Sequence, residues 1–146
     1  MVARRAGGAI PSLQPPRQGL RWVATASEPA MADDTPTGVP IEVDDESFKT
    51  LVRGSRGFVL LDCWAEWCTG CRKTTPIMRS LAREHAGRVT VAELDTHANR
   101  YTAGRLELEG IPSFVLYKDG VELDRIVGAA DREKFEAMLR RHGAID

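Results

Sequence analysis

Apolar positions along the chain fall into regular blocks only from Ile41 onward. Ile41 and Val43 flank a polar residue and predict a short strand. Asp44 is placed to cap a helix that carries Phe48, Leu51 and Val52 at helical spacing and ends at Gly54. Phe58 to Leu61 is an unbroken apolar run, the pattern of a strand buried on both faces. Ile77 with Leu81, and Met78 with Ala82, stand four apart and predict a helix from Gly70 to about His85. Val89 to Leu94 is Val-rich and alternates as a strand does, and a weaker helical pattern follows over Asn99–Leu106. Ser113 to Tyr117 predicts a strand, Asp119-Gly120 a two-residue hairpin turn, and Val121 to Val127 the antiparallel partner. Asp131 then caps a last helix with Phe135, Met138, Leu139 and His142 on one stripe. Arg140 and Arg141 suit its negative end, and Gly143 suits its stop.

The resulting order is β-α-β-α-β-α-β-β-α. Strand–helix–strand crossovers imply parallel pairing and the final hairpin adds an antiparallel part, so the fold class is α/β. A mixed sheet of about five strands is expected, flanked by four helices on its two faces. Residues 1–39 contrast with this. They are rich in Pro, Gly and Ala, lack apolar periodicity, and carry Arg4, Arg5, Arg17 and Arg21 against Glu28 alone up to residue 30. They are expected to be a disordered or dispensable extension before a domain over 40–146. The continuous apolar segment of a secretory signal is missing. An Arg-rich, nearly acid-free stretch also suits an organelle transit peptide, and Met31 offers an alternative start directly before the fold; both readings stay open.

Composition narrows the function. Twenty Lys+Arg against 21 Asp+Glu give a net charge of −1 over 146 residues, so no global basic field draws the protein to nucleic acid or to an anionic membrane. No apolar run approaches the roughly 18–20 residues of a membrane span. The three cysteines, Cys63, Cys68 and Cys71, all lie within one short stretch, Leu61-Asp62-Cys63-Trp64-Ala65-Glu66-Trp67-Cys68-Thr69-Gly70-Cys71. That clustering points to chemistry rather than to a stapled secreted scaffold. Cys68 and Cys71 stand at a strand-to-helix junction. Unpaired N–H groups and the helix dipole stabilise a thiolate on Cys68, lowering its pKa below that of a free thiol. Cys71, one turn on, lies within reach of a disulfide with Cys68 and is expected to be the more buried. One cysteine is expected to attack and the other to resolve.

Further landmarks follow at fixed distances: Pro76, Gly110-Ile111-Pro112, Asp119-Gly120 and Val127-Gly128-Ala129. With these, residues 41–146 resemble the thioredoxin family, most closely over Trp64–Cys68. The resemblance implies the thioredoxin fold and protein-disulfide reductase activity through a redox-active Cys68–Cys71 disulfide, with Cys68 and Cys71 catalytic. It implies no bound cofactor or metal, and electrons supplied from NADPH through a separate thioredoxin reductase-like enzyme. Disulfide-containing proteins are the implied substrates, and a cytoplasmic monomer is expected, or an organelle matrix protein if residues 1–30 are a transit peptide. Asp62, at the end of an apolar strand, becomes a general base with raised pKa that accepts the Cys71 proton. Trp67 is expected beside the disulfide, with Thr69, Gly70, Ile111, Pro112 and Gly128 completing the substrate-binding surface. Pro112 is expected to be cis, offering the Ile111 backbone to an extended substrate. Trp64 and Cys63 read as core, Pro76 as a helix kink. His85, His97 and His142 suggest no site.

The sequence departs from the family at two places. Thr69-Gly70 replaces the commonest Gly-Pro between the cysteines. Glycine loosens the helix start, the Thr69 hydroxyl lies within reach of the Cys68 sulfur, and a less reducing couple is expected. Glu93 stands where many members carry lysine. It either puts like charge beside Asp62, raising its pKa further, or turns outward. Three competing functions remain at this stage: a disulfide oxidase or isomerase, a metal- or cluster-binding protein, and a redox-inert binding module on the same fold.

Overall fold

The structure is a computed structural model and describes residues 38–146. The expected 1–39 extension therefore lies almost wholly outside the described residues. Five strands form one sheet in the order β1-β3-β2-β4-β5: β1 Ile41–Val43, β2 Phe58–Trp64, β3 Val89–Asp95, β4 Ser113–Lys118 and β5 Val121–Val127. β1 and β2 both pair parallel to β3, while β4 pairs antiparallel to β2 and to β5. Three α-helices, α1 Thr69–Glu84, α2 Arg100–Arg105 and α3 Arg132–Arg141, and a five-residue π-helical segment, Lys49–Arg53, complete the fold.

The central strand explains the two-layered core. Alternate residues of β2 face opposite sides of the sheet. Leu60 joins Met78, Leu81, Phe114, Phe135, Met138 and Leu139 on the side covered by α1 and α3. Val59, Leu61 and Cys63 join Phe48, Val52, Ala92, Leu94, Val115 and Tyr117 on the other. Phe114 and Phe135 meet edge to face at 4.6 Å between ring centroids, tying α3 to the sheet.

Local sequence rules set most boundaries. The Asp44 side chain accepts the N–H groups of Glu46 and Ser47, while its own N–H donates to the Ser47 hydroxyl at 2.9 Å, a reciprocal cap. The segment that follows buries Val52 and ends at Gly54 as the periodicity requires, but it winds as a π-helix rather than an α-helix. Asp119 and Gly120 both adopt positive φ, 50° and 82°, as a tight hairpin between twisted strands demands. Asp131 caps α3 by accepting the Lys134 N–H. Gly143, at φ 78°, turns the chain so that Ala144 donates to Leu139 and Ala144 and Ile145 return to the core.

Candidate active site

β2 runs three residues beyond the apolar stretch that announces it, through Asp62, Cys63 and Trp64. Asp62 is thus not at the strand's end, as the sequence suggests, but fifth of seven residues, paired with Glu93 on one side and Phe114 on the other. Parallel and antiparallel ladders on both edges extend the strand past its last apolar residue. Cys68 lies just beyond, in extended conformation, and caps α1: its sulfur accepts the Cys71 N–H at 3.1 Å. A sulfur in that position receives the donors a helix leaves unpaired at its start, and sits where the dipole favours negative charge. The hydrogen-bond partner is this backbone N–H rather than the Thr69 hydroxyl. Cys68 and Cys71 are joined by a disulfide with 5.3 Å between Cα atoms. They are equally buried, at 5% and 4% exposure, so the expected asymmetry is absent from the oxidised pair.

The end of β2 and the loop before β4 meet at this pair. Ala65, Trp64 and Ile111 pack against the two cysteines. Trp64 therefore belongs to the site and not, as the sequence suggests, to the general core; the extra length of β2 carries it there. Its carbonyl accepts both the N–H and the hydroxyl of Thr96, anchoring the strand end. Trp67 stands out from the surface at 68% exposure, directly before Cys68. The Ile111–Pro112 bond is cis. The Pro112 ring lies against Gly70: a Cβ there would stand 3.3 Å from Pro112 Cδ and 3.7 Å from the Ala129 methyl. The Gly128 N–H donates to the Pro112 carbonyl at 2.7 Å, binding the loop before β4 to the end of β5. Gly128 has φ 95°, a conformation glycine adopts without strain. Ser113 donates its hydroxyl to the Gly110 carbonyl, closing the same loop from within.

Beneath the disulfide lies a charge problem. Asp62 is 3% exposed and shares the sheet face of Leu60 and Phe114, the face covered by α1. Among the described residues its Oδ1 has no hydrogen-bond partner. Burial pushes its pKa up to about 7, and the neighbouring Glu93 adds to the rise. Glu93 is half-buried and in register with Asp62, and burial raises its own pKa, against the pull of Arg79 on α1. Between like charge beside Asp62 and an outward-turned side chain, the register and the burial favour the first. Glu42, paired with Glu93 from β1, adds a third acid to the row. The sequence reading missed it, because only strand order brings β1 beside β3. Cys63 faces the opposite cluster, fully buried, with its pKa pushed up to about 12 by burial first and then by Asp62. It is an inert thiol in this setting. Of the histidines, His142 ends α3 and pairs with Asp124 at 2.9 Å, and His85 closes the end of α1.

The arrangement supports one kind of chemistry: a dithiol that closes reversibly on itself beside an apolar, exposed platform. Comparison with known proteins agrees. The family model described as Thioredoxin matches residues 39–141. A thioredoxin of Mycobacterium tuberculosis is 42% identical over 107 residues, covering 73% of this chain and 90% of its own. A thioredoxin of Staphylococcus aureus is 32% identical over 102 residues, covering 70% and 96%. A bifunctional thioredoxin reductase/thioredoxin of Mycobacterium leprae is 40% identical over 111 residues, covering 76% of this chain and 24% of its own. The fold, the bonded cysteine pair at the head of α1 and these likenesses lead to a single conclusion: the chain belongs to the thioredoxin family and carries out dithiol–disulfide exchange.

Proposed function

We propose that the protein reduces disulfides of other proteins as a monomer in a reducing compartment, the cytoplasm, and is itself returned to the dithiol by an NADPH-dependent reductase. The observation that carries this reading is the Cys68 sulfur seated at the start of α1, accepting the Cys71 N–H, with Cys71 one turn behind it. As a thiolate, Cys68 attacks one sulfur of a substrate disulfide. A Cys68–substrate bond forms, the substrate S–S bond breaks, and one substrate thiolate leaves. Asp62 takes the Cys71 proton. The Cys71 thiolate then attacks the Cys68 sulfur, the mixed disulfide breaks, and the second substrate thiolate leaves. Two electrons pass to the substrate and the Cys68–Cys71 bond is restored.

Trp67, Ile111, Pro112 and Gly128, with Thr69 and Gly70 between the cysteines, form the surface on which the substrate segment lies. The closeness of Gly70 to the Pro112 ring supports this placement. The reductase fused in the M. leprae relative supports a thioredoxin reductase as the electron donor here. Of the competing functions, an oxidase or isomerase role would require a high potential in an oxidising compartment. Measured with a protein disulfide substrate, NADPH and a thioredoxin reductase, turnover is expected to vanish in Cys68→Ser. Cys71→Ser is expected to accumulate a mixed disulfide on Cys68 that is visible by mass. Retention of turnover by Cys68→Ser would overturn the proposal.

A further inference from the structure

A groove of about 670 Å³ lies on the sheet face opposite α1, between the π-helical segment and α2. Its walls include Asp45, Phe48, Lys49, Arg53, Tyr101 and Arg105. Three cations from two separate elements thus line it, with one carboxylate among them. No ion pair among the described residues engages Lys49, Arg53 or Arg105, and the one side-chain partner of Arg105 is the neutral Tyr101 hydroxyl, so no carboxylate neutralises the three. Lys49 and Arg53 stand four apart on one helical turn, a spacing at which like charges repel. The single acid, Asp45, is already engaged: its Oδ1 accepts the Thr102 N–H at 2.8 Å.

The two walls of the groove are tied together, and one of them carries an aromatic ring. The Asp45 N–H donates to Asn99 Oδ1 at 3.0 Å, so a reciprocal clasp ties the approach to the π-helical segment to the start of α2. The two walls are therefore fixed relative to each other before any ligand arrives, which lowers the entropy lost on binding. The Tyr101 ring is 67% exposed, and the Arg105 guanidinium stands 5.8 Å from its centroid. Guanidinium and ammonium groups are the preferred partners of phosphate oxygens, and an exposed tyrosine face stacks a flat ring. Small-molecule clefts run from roughly 300 to 1,000 Å³, which brackets this one.

We propose that this groove binds a phosphate-bearing ligand of nucleotide size, its phosphates on Lys49, Arg53 and Arg105 and its ring on Tyr101. The site is independent of the cysteine pair, since β2 and its neighbours separate it from α1, and it stands or falls apart from the reductase reading. The test is an amide NMR titration of the full chain, disulfide intact, at fixed ionic strength. The probes are ATP without metal, inorganic pyrophosphate and adenosine. ATP is expected to saturate, with shifts confined to residues 45–54 and 99–106, pyrophosphate to bind the same residues more weakly, and adenosine weakest. Lys49→Glu with Arg53→Glu is expected to lower ATP affinity by about tenfold or more, two charge-assisted contacts being removed. Tyr101→Ala is expected to weaken ATP several-fold and leave pyrophosphate unchanged, while Arg83→Glu, a cation at the far end of α1, changes neither. If the double variant does not fold, Arg105→Gln replaces it with the same expected direction. Unsaturable shifts spread over the cationic surface, or an equal loss in Arg83→Glu, would overturn the site. Adenosine matching ATP would overturn the phosphate role. Pyrophosphate matching ATP, with Tyr101→Ala silent, would overturn the nucleotide size.

Discussion

Asp62→Asn is expected to make the protein more stable at alkaline pH than at acid pH, relative to the unsubstituted chain. The Asp62 carboxyl has a folded-state pKa of about 7 because it is buried and faces Glu93, whereas an unfolded aspartate titrates near 3.8. Between those values the folded chain holds a proton that the unfolded chain has released. Unfolding then releases a proton, so stability falls as pH rises through this window and levels off above about 7. Each pKa unit corresponds to about 1.4 kcal/mol, and a shift of roughly three units gives about 4 kcal/mol as an upper value. Asparagine is neutral at every pH and nearly the same shape. Its amide N–H groups add an unpaired-donor cost of about 1–3 kcal/mol, but that cost does not change with pH. The difference in unfolding free energy between the two proteins should therefore swing by up to about 4 kcal/mol in favour of the asparagine variant between about pH 4 and pH 8.5. Urea unfolding followed by tryptophan fluorescence, with the disulfide intact in both proteins, reads this swing directly. Titrating groups remote from Asp62 cancel in the comparison, and Glu93 is the neighbour that does not. A difference that stays flat across the window would show that Asp62 is an ordinary solvated carboxylate, and would remove the physical basis for the proposal that it deprotonates Cys71.

The neighbouring acid makes a linked prediction: Glu93→Gln removes like charge beside Asp62 and should lower the midpoint of its titration, read by carboxyl carbon NMR; an unmoved midpoint would refute the coupling. Gly70→Pro should make the cysteine pair more reducing by stiffening the start of α1, measured by equilibration against glutathione. A potential equal to or higher than that of the unsubstituted chain would contradict the reasoning. Gly120→Ala should be far more damaging than Gly87→Ala although both residues have positive φ, 82° and 87°. A Cβ at Gly120 would stand 2.0 Å from the Arg53 carbonyl oxygen, whereas at Gly87 it would meet nothing within 4 Å. Chemical unfolding should show about 1–2 kcal/mol lost at Gly87, the backbone cost alone, and several kcal/mol at Gly120. Equal losses would refute the clash.

Much of this protein is written locally. The strand Val121–Val127 has the bounds expected of the partner across the Asp119-Gly120 hairpin, and the caps at Asp44 and Asp131 and the turn itself follow from side-chain and φ preferences that act over two to four residues. The cysteine pair is legible for the same reason: two thiols three apart at a strand-to-helix junction meet a dipole that the junction itself supplies. Other features were not legible because no local preference encodes them. β2 reaches Trp64 only because β3 and β4 offer ladder partners on both edges, and that extension moves Asp62 into the interior and Trp64 against the cysteines. The row of Glu42, Glu93 and Asp62 exists only in the strand order β1-β3-β2, which brings together residues far apart in the chain. The sequence by itself determined which segments become strands and helices and which sulfur sits at a helix start, because hydrophobic period, capping and turn geometry are short-range. Tertiary structure alone decided the proton affinity of Asp62, the facing of Gly70 by Pro112 and the groove beside Tyr101, because burial and charge proximity are properties of neighbours that the chain acquires only on folding.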